Sequence, residues 1–307
     1  MNDEDFFDED LEEEEFFPKD VHHISASKIA DQFWCEMQLH LKMQLGFEPT
    51  EEMVQGTNIH RNLEEELGPV IDIIATTPED SIVAYILQMY TKLDTLIKLK
   101  ITRELPVIGK IEDIPCLGII DQLEIKPKEM NNEEIIISDF KTRKSRSSPT
   151  YEQKRRNRIQ LQVYWHLLND LKQGKYTKEM FMEYFEMNKD IIPSDNLLAQ
   201  LPDEHCKLLQ DKTPNNLLSE VFQIFKNLPN LSLELHAIYL HQEDKSVVNN
   251  DISLFHLESF EVDMAWAVGY WKKIRTPNSC SQQWMCKYCQ FSDNCSYFLK
   301  KYLNDKK

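Results

Sequence analysis

Two short apolar runs, LGIIDQL (residues 117–123) and IIISDFKT (residues 135–142), decide the fold class expected of this chain. Each has the length and the Ile-rich composition of a β-strand, and each carries an aspartate. Charged residues are depleted in strands and are rarely buried without a partner. Because side chains alternate between the two faces of a strand, Asp139 and Lys141 should point to the same side. The pattern predicts strands that bring Asp121, Asp139 and Lys141 together.

These three residues suit a divalent-cation site for phosphodiester chemistry. Carboxylate oxygens favour Mg²⁺ or Mn²⁺, which also bind water and the phosphate oxygens of a substrate. A bound metal can activate water and polarise a phosphoryl oxygen, while Lys141 holds the water or offsets developing charge. The alternative is an ordinary salt bridge between Asp139 and Lys141 at a strand end, so the surrounding sequence has to distinguish the two.

Length and composition limit the class of protein further. A chain of 307 residues can bury a substantial core. It contains no run of about eighteen apolar residues, and its N-terminus is acidic, so neither a membrane span nor a signal or transit peptide is predicted. The motif G-x-x-x-x-G-K-[ST] does not occur, and we therefore expect no reaction here that is driven by ATP hydrolysis.

The net charge of −17 is distributed unevenly. Residues 1–20 hold eleven acidic side chains against Lys19, a net charge of −10, and we predict a disordered tail there. The tail contains Phe6-Phe7 and Phe16-Phe17 among its carboxylates, a pattern that can dock on a groove of a protein partner. The rest of the chain is therefore much less acidic than the total suggests.

Residues 141–158 reverse this balance, with eight basic side chains against Glu152 and a net charge of +7. A run of charge is often only a solvated surface, but this one begins at Lys141 of the predicted site and suits phosphate groups. Tyr151 and Trp165 can stack nucleobases, although a tryptophan on this segment is more typical of a core. We predict DNA contacts by five basic residues: Arg143, Lys144, Arg155, Arg156 and Arg158.

Four of the seven cysteines form a metal-binding pattern, Cys286-x-x-Cys289-x₅-Cys295 together with the distant Cys35. Without a signal peptide, disulfides are not expected. Zinc sites usually show two close pairs, whereas iron–sulfur clusters tolerate uneven spacing, and the spacing alone leaves both possibilities open. Cys280 is a spare thiol that can replace Cys35 as the fourth ligand. Cys116 and Cys206 are expected to be small buried apolar residues.

Five motifs follow one another along the chain: GTNIH (56–60), GIID (118–121), DFKT (139–142), QLQVY (160–164) and the four cysteines. Their order resembles that of the RecB-type nucleases of the PD-(D/E)xK superfamily. With one cysteine before the nuclease core and three after it, residues 22–302 resemble the eukaryotic exonuclease V (defects-in-morphology) family. The resemblance implies Mg²⁺-dependent exonucleolytic cleavage of single-stranded DNA and a 4Fe-4S cluster on Cys35, Cys286, Cys289 and Cys295.

The resemblance also implies roles for two helices. His60 would bind the metal together with Asp121 and Asp139, on a helix that we expect Thr57 to cap. Glu64, one turn later, would either orient the His60 ring or be solvated. Gln160 and Tyr164 are four residues apart and should share a helix face. In the family, the matching pair borders the active site and positions the nucleic-acid backbone.

The order of predicted strands and helices indicates an α/β fold, and the resemblance implies a mixed, RecB-like sheet flanked by helices. We expect one domain over residues 21–307, in which residues 193–230 form a helical insertion. If Cys35 binds the same cluster as the C-terminal cysteines, the cluster joins both ends of the chain and serves a structural purpose. Helices are predicted at 25–45, 57–67, 81–99, 152–171 and 263–275, and strands at 102–107, 111–125, 135–142, 181–187, 233–240 and 255–261.

The expected function is that of a monomeric, Mg²⁺-dependent exonuclease for single-stranded DNA in DNA repair. The family implies a nuclear or cytosolic location rather than a mitochondrial one. Two other interpretations fit the same residues. One is a non-catalytic, metal-stapled module that binds nucleic acid or protein, and the other is a zinc-binding adaptor that acts through its acidic tail.

Overall fold

The structure is a computed structural model that describes Pro18, residues 22–128 and residues 132–299. Apart from Pro18, the tail predicted over residues 1–20 lies outside the described residues. Its disorder and its protein partner therefore stay predictions. The division of the chain into one domain and an insertion is likewise a prediction that the architecture below does not decide.

One mixed sheet of six strands lies at the centre of the described part of the chain. The long strand β3 pairs with β2 along one edge in antiparallel orientation. Its other edge pairs first with β1, in parallel, and then with β4, antiparallel. Beyond β4 lie β5, which is parallel to β4, and β6, which is antiparallel to β5. The strands are β1 Ile24–Ser25, β2 Ile101–Ile111, β3 Ile114–Lys128, β4 Asn132–Arg143, β5 Asn230–His241 and β6 Val247–Leu254.

Helices begin where a short polar side chain accepts a hydrogen bond from the first turn. Ser or Thr caps of this kind precede α1 to α6 and α8, and α4 has a reciprocal capping box between Thr150 and Gln153. The helices are α1 Ala26–Leu45, α2 Glu51–Glu65, α3 Pro78–Leu99, α4 Tyr151–Gln173, α5 Lys178–Tyr184, α6 Asp195–Leu198, α7 Asp203–Asp211, α8 Pro214–Asn227, α9 Leu257–Trp271 and α10 Gln283–Cys286.

Helix α4 is the central element of the layer that covers the sheet. It follows β4 in sequence and contacts β2, β3, β4 and β5, while α1 and α8 pack against it in turn. Residues 135–140 of β4 are all buried, as expected for a strand covered on both faces. The mixed α/β fold with helices around a mixed sheet is thus confirmed. In this arrangement α2 and α4 both contact β4.

The start of α2 differs from the prediction. The helix begins at Glu51, where the Thr50 side chain accepts a hydrogen bond from Met53 N. Thr57 is therefore inside the helix, and its hydroxyl donates to the carbonyl of Met53. The prediction that Thr57 caps this helix is wrong, because Thr50 provides an earlier cap with two acids in the first turn, which favours helix initiation.

Two predicted strands are wrong as well. Residues 181–187 fall mostly in helix α5, where Thr177 caps the first turn and Phe181 packs on Phe222, so tertiary packing overrides the strand propensity of the aromatics. The partner of β5 is β6, while residues 257–261 begin α9. Strand β6 was not predicted because it contains Asn249, Asn250 and Asp251, and Asn and Asp are depleted in strands. An edge strand such as β6 tolerates these residues.

Candidate active site and cysteine site

Asp121 on β3 and Asp139 on β4 form a buried pair of acids. The two strands pair through Gln122 and Ser138, next to the aspartates. The Asp139 side chain is fully buried, and Asp121 accepts a hydrogen bond from Phe140 N at 2.6 Å. Burial, together with the charge of Asp139, raises the pKa of Asp121 well above its usual value. Two acids in this environment call for a compensating positive charge.

Lys141 supplies part of that charge. Its Nζ lies 3.0 Å and 2.9 Å from the two Asp139 carboxylate oxygens, so the side chains share one strand face as alternation predicted. Nζ also donates to Gln160 Oε1 at 3.0 Å, and Gln160 Nε2 donates to Tyr164 Oη at 2.7 Å. A chain of hydrogen bonds therefore connects β4 to α4 through Asp139, Lys141, Gln160 and Tyr164, which the sequence analysis predicts as site residues.

Gly118 allows Tyr164 to approach the sheet. A Cβ atom at this position of β3 would lie 2.8 Å from Tyr164 Cε1, which is closer than real Cβ contacts. Burial, followed by the charges of Asp121 and Asp139, raises the pKa of Tyr164 well above its usual value. The Tyr164 hydroxyl therefore stays protonated and neutral at physiological pH.

His60 reaches the acids from α2. Its Nε2 lies 3.0 Å from the Phe140 carbonyl oxygen, and its Nδ1 lies 3.4 Å from Glu104 Oε1 and 3.7 Å from Asp121 Oδ2. Burial lowers the pKa of His60, but the Glu104 hydrogen bond and the Asp121 charge outweigh it, and the net shift is upward. Gly56 allows α2 to lie close to β4, because a Cβ atom at this position would lie 2.9 Å from Thr142 Oγ1.

Glu104 belongs to this site although the sequence analysis missed it. It stands opposite Asp121, between the paired positions Arg103–Gln122 and Leu105–Ile120, and its φ of 55° interrupts the pairing there. Non-glycine residues rarely adopt such a φ, and strained positions of this kind cluster at functional sites. The informative signal was an acid inside the apolar segment ITRELPVI (101–108), the same feature that singled out Asp121.

Three of these side chains are arranged to hold a cation. His60, Glu104 and Asp121 each offer one ligand atom, and these atoms all lie within 4.8 Å of one another. Asp139 Oδ2 is buried and accepts no hydrogen bond of regular geometry, although Lys141 Nζ is close to it. We call His60, Glu104, Asp121, Asp139 and Lys141 the acidic site.

The predicted orienting role of Glu64 is wrong. Its carboxylate forms an ion pair with Lys92 of α3 and does not contact the His60 ring. The cause lies in tertiary packing, because α3 brings a lysine to the side of α2 on which Glu64 lies. Glu104, not Glu64, contacts the His60 ring, at Nδ1.

A cleft between α2 and α4 leads to the acidic site. Its walls include Met53, Gly56 and Thr57 of α2 and Gln153, Arg156 and Asn157 of α4, and its floor includes Phe140 to Arg143 of β4. Two of the five basic residues predicted to contact DNA, Arg143 and Arg156, line this cleft. Arg143 donates to Gln153 and Arg156 to Asp31.

The other predicted basic residues have different surroundings. Lys144 pairs with Glu52 at 2.6 Å, Arg158 pairs with Asp251, and Arg155 lies over the Phe33 ring. Acids from distant segments thus neutralise most of the basic run. Within the described residues, every basic side chain of the run except Arg143 and Arg155 has a nitrogen within 4 Å of a carboxylate oxygen. DNA contacts at Lys144, Arg155 and Arg158 stay predictions.

Five cysteines line a single cavity, which we call the cysteine site. They are the four predicted ligands and the spare thiol: Cys35, Cys280, Cys286, Cys289 and Cys295. The Sγ atoms of Cys280 and Cys286 are 3.3 Å apart, and a hydrogen bond from Cys280 lowers the pKa of Cys35. Such a group of soft ligands fits zinc or an iron–sulfur cluster.

The cysteine site joins distant parts of the chain. Cys35 interrupts α1, with φ −164° and ψ 109°, while Cys286 ends α10 and Cys295 follows a single 3-10 turn, Ser292–Asn294. Cys116 is fully buried in β3, and the half-buried Cys206 donates to carbonyl groups of its own region. Neither of these two thiols lines the cavity.

Comparisons with known proteins point to one family. A family model described as "Exonuclease V - a 5' deoxyribonuclease" matches residues 14–134, 124–220 and 204–298. The chain is 24% identical to Exonuclease V of Danio rerio over 286 residues, which cover 90% of this chain and 70% of that protein. The crystal structure of SSO0001 aligns over 94% of this chain and 93% of its own, with 14% identity and a TM-score of 0.40. Within the described residues, no helix combines the length and apolar character required to cross a bilayer.

Proposed function

Because the chain belongs to the exonuclease V family, we propose that it is a metal-dependent exonuclease that degrades single-stranded DNA from the 5′ end. The observation that carries this proposal is the acidic site at the base of a cleft. Asp121, Asp139 and Lys141 are held together by hydrogen bonds to the backbone and to α4, as a site prepared for one reaction requires.

A divalent cation fits the acidic site. The resemblance assigns His60, Asp121 and Asp139 as its ligands, and the position of Glu104 supports a fourth donor. Carboxylate oxygens suit Mg²⁺ or Mn²⁺, and the raised pKa of His60 indicates how strongly this group of acids attracts positive charge. When bound, the metal would supply Lewis-acid activation of water and of the scissile phosphoryl group.

The residues of the chain have distinct tasks in this proposal. Lys141 donates hydrogen bonds from a position beside the acids, where it can orient the attacking water and offset charge that develops on the phosphate. Gln160 holds the Lys141 ammonium group in place, and the neutral Tyr164 hydroxyl fixes Gln160 in turn. Gln160 and Tyr164 thereby position the catalytic lysine and guide the DNA backbone.

The cleft supports a preference for single strands. A phosphate that approaches Lys141 has to enter between α2 and α4. A flexible single strand can bend one phosphate into such a cleft more readily than a stiff duplex can. Arg143 is suited to the phosphate next to the scissile bond, because it lines the cleft and no acid of the described chain pairs with it.

We further propose that the cysteine site binds a 4Fe-4S cluster through Cys35, Cys286, Cys289 and Cys295. Support comes from the shared cavity and from the family resemblance, while zinc remains the alternative metal for the same thiols. The cluster would connect α1 to the C-terminal segment and serve a structural purpose. A role in DNA repair, a nuclear or cytosolic location and a monomeric state stay predictions from the resemblance.

Digestion of single-stranded oligonucleotides labelled at either end tests the activity. With Mg²⁺ we expect the wild-type protein to degrade linear strands and to spare circular ones, and EDTA should stop the reaction. Asp139→Asn should lower the rate at least about a thousandfold, because it removes the charge of a metal ligand. Binding of the same oligonucleotide, measured by fluorescence anisotropy, should change less than about threefold.

Two outcomes would contradict parts of this proposal. If the wild-type protein binds strands without degrading them at any Mg²⁺ or Mn²⁺ concentration, the non-catalytic module is the better interpretation. Zinc without iron in anaerobically purified protein would replace the cluster. A 4Fe-4S protein should instead be brown and contain about four irons per chain.

A further inference from the structure

Trp34 connects the cysteine site to the cleft. Among the described residues, it alone lines both the cavity that contains the cysteines and the cleft that leads to the acidic site. It is half-buried, so part of its ring is open to the cleft. Tryptophan is the largest aromatic side chain, and a partly exposed one in a cleft offers a stacking surface for a planar group.

The interruption of α1 explains how one segment reaches both sites. Cys35, the residue after Trp34, has an extended backbone in the middle of the helix, and its Sγ accepts a hydrogen bond from Gln38 N at 3.4 Å. The C-terminal segment stabilises the break, because Met37 N donates to Asn278 O at 3.0 Å. The buried Glu36 carboxylate accepts from Asn278 N at 2.8 Å and also pairs with Arg275.

A second tryptophan ties the Trp34 ring to the cysteines. Trp34 packs edge-on against Trp284, with ring centroids 6.0 Å apart and an interplanar angle of 79°. Trp284 lies on α10, which ends at Cys286, one of the proposed cluster ligands. The Trp34 ring therefore lies between its own segment, which carries Cys35, and α10, which carries Cys286. A metal group bound by both cysteines would also hold the ring in position.

The chemistry of the cleft around Trp34 suits an unstacked nucleotide. Arg143 and Arg156 share the cleft with Trp34, and Lys141 lies at its floor. Guanidinium groups bind phosphates, while an aromatic face binds a nucleobase of any sequence, and this combination is typical of proteins that hold single strands. The other aromatic residues proposed for stacking are placed differently, because Trp165 stacks on Phe255 and Tyr151 does not line the cleft.

We propose that Trp34 stacks on a nucleobase of the single strand and that the metal group of the cysteine site holds its ring in position. This inference rests on the proposed function, since it names a substrate contact of the same cleft. Trp34 is a positioning residue. By holding one base it places a neighbouring phosphate at the acidic site. Loss of the metal group would then weaken DNA binding through Trp34, without any change at Asp121 or Asp139.

An abasic scan tests the proposal directly. A single abasic nucleotide is moved along an oligonucleotide, and the Kd of each strand is measured by anisotropy with full-length Asp139→Asn protein, with and without Trp34→Ala. With Trp34 present, we expect one abasic position to raise Kd about tenfold, equivalent to about 1.4 kcal/mol. Trp34→Ala should raise Kd about tenfold on the intact strand and abolish the dependence on that position. Trp34→Phe should retain most of it.

The controls separate stacking from a structural effect. The iron content and visible absorbance of Trp34→Ala should match those of wild type. Tyr151→Ala removes a 69% exposed aromatic side chain at the start of α4 and should leave the abasic scan unchanged. A flat scan with Trp34 present overturns the proposal, even if Trp34→Ala loses iron. Equal losses of affinity on intact and abasic strands after Trp34→Ala also overturn it. Digestion by the wild-type protein is assayed separately, so a flat scan beside normal digestion leaves the proposed function standing.

Discussion

In the acidic site, the candidate metal ligands lie on long paired strands and on a fifteen-residue helix. In the cysteine site, Cys35 lies at a helix break, Cys286 ends a four-residue helix and Cys295 follows a 3-10 turn. Hydrogen bonds between residues of the fold hold Asp121, Asp139 and Lys141. The backbone hydrogen bonds of the short elements around Cys286 and Cys295 are local and join residues at most four positions apart. We therefore expect the sheet to hold the first site in place by itself, and the proposed metal group to supply much of the rigidity of the second.

The two sites should therefore respond differently to the loss of their ions. Removing a cation from the acidic site leaves the strands and their hydrogen bonds in place, so stability should change little. Removing a metal group from the cysteine site would remove one connection between α1 and the C-terminal segment and leave those made by Glu36 and Met37. Metal binding that connects distant segments contributes directly to folding free energy. The following predictions test this difference, from the largest expected effect to the smallest.

Cys289→Ala should have the largest effect. We expect loss of iron, a Tm at least about 5 °C lower and loss of nuclease activity, because the proposed metal group no longer joins the C-terminal segment to α1. EDTA added to wild type should abolish activity but shift Tm by less than about 2 °C. Differential scanning calorimetry and an iron assay measure these effects. Cys206→Ala, a cysteine outside the cavity, serves as the control and should keep its iron. A normal Tm for Cys289→Ala would show that the cysteine site does not stabilise the fold through a metal group.

Glu104→Gln should weaken the acidic site without unfolding it. The substitution keeps the size of the side chain but removes one negative charge beside His60 and Asp121. We expect Mn²⁺ affinity, measured by calorimetric titration without DNA, to fall about 10- to 100-fold. Glu66→Gln is the matched control, because Glu66 is exposed and pairs with Arg103 outside the acidic site. Equal affinity for the two variants would remove Glu104 from the set of ligands.

Gly118→Ala and Gly109→Ala compare two close contacts of α4 with the sheet. The new Cβ would lie 2.8 Å from the Tyr164 ring in the first variant and 2.8 Å from Leu167 Cδ2 in the second. Both should lose about 1–3 kcal/mol of stability in urea unfolding, less for Gly109→Ala if the Leu167 side chain rotates away. Only Gly118→Ala should also lower kcat, by about tenfold, because it displaces Tyr164 and Gln160. A normal kcat for Gly118→Ala would argue against the positioning role of Tyr164.

Arg143→Gln should produce the smallest effect. Arg143 lines the cleft without an acidic partner in the described chain, so we expect its loss to raise the Kd for single strands about three- to fivefold. The slope of log K against log salt should fall by about 0.7, the value for one phosphate contact on a single strand. Lys144→Gln is the control and should change little, because Glu52 neutralises Lys144. If Lys144→Gln raised the Kd more than Arg143→Gln did, the single-stranded DNA would have to bind along a path other than the cleft.

Strand alternation and apolar runs were enough to predict β3, β4 and the meeting of Asp139 with Lys141, because these depend on local geometry. The four-residue spacing of Gln160 and Tyr164 predicted their shared helix face in the same way. Edge strand β6 and the cap of α2 were missed, since polar strand residues and a competing threonine gave misleading local signals. Glu104 was missed although it lies inside an apolar segment, because no local pattern indicates that an acid of one strand faces the aspartate of another.

The basic run illustrates the limit of charge counting. Its net charge of +7 is a property of the sequence, but distant acids such as Asp31, Glu52 and Asp251 neutralise most of it in the folded chain. The number of charges available to DNA therefore depends on long-range neighbours. Only two of the predicted contacts, Arg143 and Arg156, line the cleft.

The sequence by itself determined the strands that carry Asp121 and Asp139, the helices that carry His60 and Gln160, and the family, because these follow from short periodic patterns and motif order. Tertiary structure alone decided that Glu104 joins the acids and that Trp34 stands between the cleft and the cysteines. The physical reason is distance along the chain. Contacts between residues tens or hundreds of positions apart depend on how the sheet and helices pack, and no local pattern records them.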